Sequence, residues 1–404
     1  MNKTNTVRLM AIPAVLVVLA GSPACRSLKP VAFVKHDIDP GFPTISAVAT
    51  DVDGDGRLDV IAAGGPGGGH SQWSNLIYWY QAPNWERRLV DQIRTNAVIL
   101  NIQLADLSHR VGEVPGAGGK PMPDLIVDDG HFGEIWRYVY DRKSATWSHT
   151  LLVTNVVGAH GTAAGDIDRD GYRDLLIPSQ MGAPKHGVIW ARNPGPAATG
   201  NPLWEKFPLA PAFTITGWQE YVSLADLNGD GRLDALHGSD GRDGWAGYWL
   251  QGADPRGEWE GHRLAGPMAR CTNIEAADLN GDGKPDIVVT EGHGTGIWWF
   301  PAPDYKPQRI DATLTNVHDL AVGDFNGDGA LDVAGCGYGN RKAAVFLNDG
   351  KGVFSRTVID TNQCSYDARA VDLDQDGDLD ILLAGQNSSN LVWYENRMLT
   401  PRAP

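Results

Sequence analysis

The chain has 404 residues, a formal net charge of −15 at pH 7 and 42% hydrophobic residues. An acidic balance with no basic run excludes the cationic surface that nucleic-acid binding needs. The length would accommodate two average domains, but one repeat runs through nearly all of it and argues for a single one.

The first 24 residues read as an export signal: Lys3 and Arg8 precede apolar Leu9–Ala20, followed by the small-residue segment Gly21–Cys25. The apolar stretch is too short to span a bilayer. Cys25 after Ala24 fits a lipoprotein cleavage site, although Ser22 stands where Leu is usual. The expectation is an exported protein, either a lipoprotein attached at the outer membrane or periplasm through Cys25 or a plainly secreted one. Any contact with a membrane would then be through a lipid anchor.

Beyond a strand-like segment, Phe33–Ile38, a nine-residue loop recurs: Asp-x-Asp/Asn-x-Asp-Gly-x-x-Asp. Its polar positions one, three, five and nine are Asp51, Asp53, Asp55 and Asp59; Asp166, Asp168, Asp170 and Asp174; Asp226, Asn228, Asp230 and Asp234; Asp278, Asn280, Asp282 and Asp286; Asp324, Asn326, Asp328 and Asp332; and Asp372, Asp374, Asp376 and Asp380. Oxygen ligands at this spacing converge on one hard cation, and a Gly at position six allows the bend, so about six structural Ca²⁺ sites are expected. An EF-hand would need a bidentate Glu at position twelve between helices, and no copy has one. A broken copy starts at Asp106, with Ser108 at its third position and a Gly/Pro-rich insertion; no calcium is expected there, and Asp124 is read as a turn residue.

Successive first aspartates are 55, 60, 60, 52, 46 and 48 residues apart. Short apolar runs follow the loops, and a third-strand aromatic recurs in each period, from Trp79 to Trp393. A period of this size, with strand-like runs and no helical pattern, predicts an all-β, seven-bladed β-propeller over residues 31–396, followed by a tail, 397–404. Its calcium loops join the first and second strands of the blades. The last period lacks a fourth strand, so Phe33–Ile38 is expected to complete blade seven and close the ring, removing a free edge.

These loops and their period resemble the FG-GAP/VCBS repeat family, the calcium-loop propellers that include the integrin α head and many exported bacterial proteins. The resemblance implies the fold and calcium. It leaves function open, because such propellers include adhesins, carbohydrate binders and sugar lyases.

Strand counting places the second-to-third-strand loops and the blade-to-blade connections on the face away from calcium. His70, His131, His186, His237 and His293 fall in or near these loops. His160, Glu220 and His318 lie six residues before the first aspartate of their loops; Tyr221, Asn273, Asp319 and Asp367 lie five before. First strands line a propeller's channel, so His160, Glu220, Asn273, His318 and Asp367 should ring its mouth, with Arg341, Arg369, Tyr338 and Tyr366 near them. A concave mouth of this composition suits a carbohydrate, through aromatic faces and polar edges.

The first expectation is therefore a calcium-stabilised propeller that binds carbohydrate, most simply polysaccharide, at this mouth. His70, His131, His186, Glu220, Tyr221, Asn273, His293, Tyr338 and Asp367 would be its ligand residues. The alternative is a polysaccharide lyase or sugar dehydratase: His160 or His318 would be the base, and Arg341, Arg369 or a further divalent metal would stabilise the enolate-like state. A second alternative is a protein–protein adhesion module. Of Cys271, Cys336 and Cys364, the pair Cys336–Cys364 is the favoured disulfide.

Overall fold

The computed structural model describes residues 31–65, 75–94, 96–112, 122–179, 187–196, 198–209, 218–241, 244–266 and 270–397. These residues form seven four-stranded antiparallel sheets, with no helix among them. The sheets stand in a ring as a seven-bladed β-propeller. The export-signal segment and Cys25 lie outside the described residues, as does the tail from residue 398.

The first strands are Thr44–Thr50, Ile99–Ala105, Ala163–Gly165, Trp218–Ala225, Cys271–Ala277, Val317–Gly323 and Asp367–Val371. The nine-residue loops connect each intact one to its second strand. Second strands are buried along nearly their whole length, as Asp59–Gly64, Asp286–Glu291 and Asp380–Gly385 show. They are covered on both faces by neighbouring blades, so they read as apolar runs and not as alternating patterns. The third-strand aromatics fill the space between blades. Trp190 and Trp249 are fully buried and share one apolar cluster with residues of blades three and four. Burying a side chain of this size contributes roughly 2–3 kcal/mol.

Blade seven takes its fourth strand from the N-terminus. Phe33–Asp39 pairs antiparallel with Asn390–Asn396, with Phe33 opposite Asn396 and His36 opposite Trp393. The His36 ring stacks on Trp393 at 4.7 Å. Lys35 Nζ reaches across to blade six, donating to Asp360 at 2.8 Å and to Gln363 at 3.0 Å.

The ninth aspartate of each loop braces its blade. In blade four, Asp234 accepts the Leu227 and Gln251 N–H groups, both at 2.9 Å. In blade seven, Asp380 accepts Leu373 at 2.9 Å and Asn396 at 2.8 Å. The same bracing recurs at Asp59, Asp174, Asp286 and Asp332. Each carboxylate thereby ties the loop entrance to the end of the third strand and satisfies two buried donors. In the broken blade-two loop, Asp124 keeps half of this role: it accepts Leu107 N–H at 2.9 Å and the Arg137 guanidinium at 2.9 Å.

The favoured disulfide does not form. Cys271, Cys336 and Cys364 are buried thiols. Cys336 Sγ donates to the Gln363 carbonyl at 3.3 Å and Cys364 Sγ to the Tyr338 carbonyl at 3.1 Å, so the two sulfurs address neighbouring carbonyls and not each other.

Candidate functional site

The six intact loops share one internal scaffold. The glycine at position six has φ between 79° and 100° in every copy, a region that disfavours side chains. Its N–H donates to the first aspartate, as Gly231 does to Asp226 at 2.7 Å and Gly283 to Asp278 at 2.8 Å. The fifth residue's N–H donates to the side chain at position three, and the seventh's to the carboxylate at position five, as in Asp282 to Asn280 and Lys284 to Asp282, both 2.9 Å. Backbone donors thus aim the carboxylates before any cation arrives. In blades one, three and seven, ligand atoms of Asp51, Asp53 and Asp59, of Asp166, Asp168 and Asp174, and of Asp372, Asp374 and Asp380 lie within 4.8 Å of one another. An all-oxygen set of this kind fits a hard divalent cation.

On the opposite face, bulges build the mouth. In blade four the ladder jumps from Gln219 opposite Ser239 to Val222 opposite His237, so Glu220 and Tyr221 together face one residue. Blade five does the same at Thr272 and Asn273, and blade six at His318 and Asp319. A bulge breaks strict alternation and re-aims two consecutive side chains toward the channel. This is why positions six and five before the loop both carry polar residues.

The outer layer joins blades three to seven. His160 pairs with Glu220 through Nδ1. His293 Nδ1 lies 2.9 Å from Asp240. The His318 ring stacks on Tyr366 at 4.4 Å and meets His293 at 4.8 Å and Tyr338 at 5.3 Å, both edge to face. The hydrogen bond to Asp240 raises the His293 pKa, and Asp240, despite its burial, is held below the usual carboxylate range by His293. Burial and the negative charge of Glu220 push the Tyr366 hydroxyl well up.

A second layer forms a polar belt one residue deeper. Asp367 accepts Ser46 Oγ at 2.6 Å and Ala47 N–H at 2.9 Å, tying blade seven to blade one. Asn273 donates to Asp319, tying blade five to blade six. Arg369 spans both acids, at 3.3 Å from Asp319 and 3.0 Å from Asp367. Burial raises the Asp319 pKa well above normal, against the opposing charge of Arg369. Two cavities of about 390 and 280 Å³ share Glu275 and Arg369 in their walls; the smaller also touches Asn101, Gln103 and Tyr221. Burial lifts Glu275 to about 7.

The expected residues fall into distinct groups. His160, Glu220, His293, His318 and Tyr338 come together at the mouth. Tyr221, Asn273, Asp367 and Arg369 belong to the deeper belt, and Arg369 is engaged by two carboxylates there. Arg341 turns outward, its Nε donating to Asn362 at 3.0 Å. His131 sits exposed on its turn, with its ring against Phe132 at 5.0 Å. His70 and His186 lie outside the described residues. The loop assignment of His237 needs correction. It is a fully buried second-strand residue, wedged against Trp245 at 4.5 Å and accepting the Trp249 indole N–H at 3.3 Å, and burial lowers its pKa to about 3. Asp240 and Glu275 were not anticipated. Their signal was present in the sequence: an acid closing the second strand, and an acid inside an apolar first strand.

The FG-GAP-like repeat profile matches residues 226–289 and 324–383. Each match opens on the first aspartate of one loop and ends within the second strand of the following blade. Two stretches of this seven-bladed β-propeller are therefore FG-GAP-like repeats. No curated protein matches the chain. The matched stretches fall within blades four to seven, each starting at an intact loop.

Proposed function

We propose that this FG-GAP propeller is an exported, calcium-stabilised protein that binds a carbohydrate at the mouth opposite its calcium loops. The observation that carries the reading is the outer layer: bulge residues Glu220 and His318, with His160, Asp240, His293, Tyr338 and Tyr366 from the flanking turns, connections and strand ends, form one aromatic and polar wall. Ring faces suit the C–H faces of a sugar, and the paired acids and imidazoles suit its hydroxyls. Calcium is supported by the preset oxygen ligands of the loops, and export by the pattern of residues 1–24. The adhesion alternative draws less support, because the wall is recessed and not a broad exposed face.

A second reading has a specific observation of its own. An imidazole held by a carboxylate, as His160 is by Glu220, is oriented as a general base is. A lyase or dehydratase would use it to take the proton beside a uronate or keto group. Arg369 is a poor candidate for the cation, since Asp319 and Asp367 already engage it.

The test is to incubate the calcium-loaded protein with neutral and uronate-containing polysaccharides. Retention on immobilised polysaccharide and formation of unsaturated product are both followed, for wild type and for a His160→Ala, His318→Ala double variant. Retention without product, weakened at least ten-fold in the variant, is the expected result. Product that disappears in the variant would establish the lyase. Neither retention nor product on any polysaccharide would contradict both readings.

A further inference from the structure

The six intact loops are not equivalent, and the difference lies outside the repeated motif. The residue just before the one whose N–H braces the ninth aspartate at the third-strand end is Gln81 in blade one, Arg192 in blade three, Leu250 in blade four, Pro301 in blade five, Leu347 in blade six and Glu395 in blade seven. Only the blade-three residue carries a positive charge among these six. Its Nε donates to Asp168 Oδ2 at 2.6 Å and its Nη2 to Asp170 Oδ2 at 2.5 Å.

The oxygens it takes are those that the shared scaffold leaves over. Asp168 Oδ1 accepts the Asp170 N–H at 3.1 Å, and Asp170 Oδ1 accepts the Tyr172 N–H at 3.0 Å, as in the other loops. The Oδ2 atoms are what positions three and five would offer a cation. In blade three one guanidinium spans both. Position-seven arginines in blades one and four, Arg57 and Arg232, reach only the position-five carboxylate, from within the same loop. In blade one a neutral amide, Gln81, contacts Asp53 Oδ2. Blade two carries the substitution further: its loop has Ser108 at position three, and Arg137 donates to both Ser108 Oγ at 2.5 Å and Asp124 at 2.9 Å.

We infer that Arg192 is a built-in competitor for the blade-three cation, so that blade three is the weakest calcium site of the six. Calcium must displace a bidentate, charge-assisted contact there and nowhere else among the intact loops. When calcium is scarce, Arg192 holds the loop closed in its place. Blades two and three then form a sector of the ring that is braced by arginine, while the remaining five blades depend on the metal.

The inference rests on the loops being calcium sites, and its test separates the two claims. Metal-free protein is titrated with calcium by calorimetry, and bound ions are counted by equilibrium dialysis. Wild type should bind five ions in a tight class and one at least ten-fold more weakly. Arg192→Leu, which copies blades four and six, should bring the sixth ion into the tight class. Arg192→Gln, which copies blade one, should do the same and guards against a folding failure of the first variant. Six equivalent ions in wild type would overturn the inference while leaving the calcium reading intact, as would a weak sixth ion that neither variant tightens. No bound calcium at all would overturn both.

Discussion

Asp234 and its counterparts show why the loop's last position is aspartate even before a metal is considered. Each accepts two buried backbone N–H groups from different parts of its blade. Asp234→Ala would leave both donors without a partner, at a cost of about 3 kcal/mol. The loss should appear in urea denaturation carried out in chelator, where no metal contributes. A variant at an outward ligand such as Asp230 should instead lose stability mainly in the presence of calcium. His237 makes a second prediction at this scale. Its ordinary pKa is 6.5, and burial lowers it to about 3 in the fold. The unfolded chain therefore takes up a proton below pH 6.5 that the native protein refuses down to about 3. Stability falls as pH drops through that window, by at most about 1.4 kcal/mol per pH unit. His237→Gln should flatten this part of the acid limb in a pH series of melting curves. An unchanged acid limb would contradict the buried, neutral assignment.

At the scale of the element, the closing strand and the bulges behave differently as sequence signals. The strand Phe33–Asp39 was legible because the last period visibly lacks a fourth strand and the N-terminus supplies one. Deleting residues up to Asp39 should expose the edge of Asn390–Asn396, lower the melting temperature and produce dimers or larger species in light scattering. A monomer with unchanged melting would contradict the closure. The bulges were not legible. Glu220–Tyr221, Thr272–Asn273 and His318–Asp319 look like ordinary strand residues, and strict alternation would send one of each pair away from the channel. Counting positions back from the loops found the right residues. It merged two layers into one ring, because only the register shows that Asp367 and Arg369 form a belt beneath the mouth. Arg341 was misplaced for a related reason: loop membership says which face a residue is on, but not which way its side chain turns. The disulfide expectation failed similarly, since two cysteines on one face need opposed Cβ directions, and here both thiols point to carbonyls.

Across the whole molecule, the fold was the most legible property. It is written seven times: six copies repeat the same loop, and all seven repeat the apolar second strand and third-strand aromatic. Ligand chemistry was the least legible, because the mouth is assembled from single residues on five blades with no common motif. The first strands begin at the mouth layer and end at the acidic loops, so they link the two faces. Removing calcium with a chelator should therefore lower the melting temperature and also weaken carbohydrate retention at the mouth, although no loop ligand touches the mouth residues. Retention unaffected by chelation would show that the mouth stands without the loops. The most direct test of the central claim is a crystal structure of the calcium-equilibrated protein, with data collected where calcium scatters anomalously. Anomalous peaks inside the loops that start at Asp51, Asp226, Asp278, Asp324 and Asp372, with a weaker one or none at Asp166, are the expected result. A map with no peak in any of these loops would contradict the account.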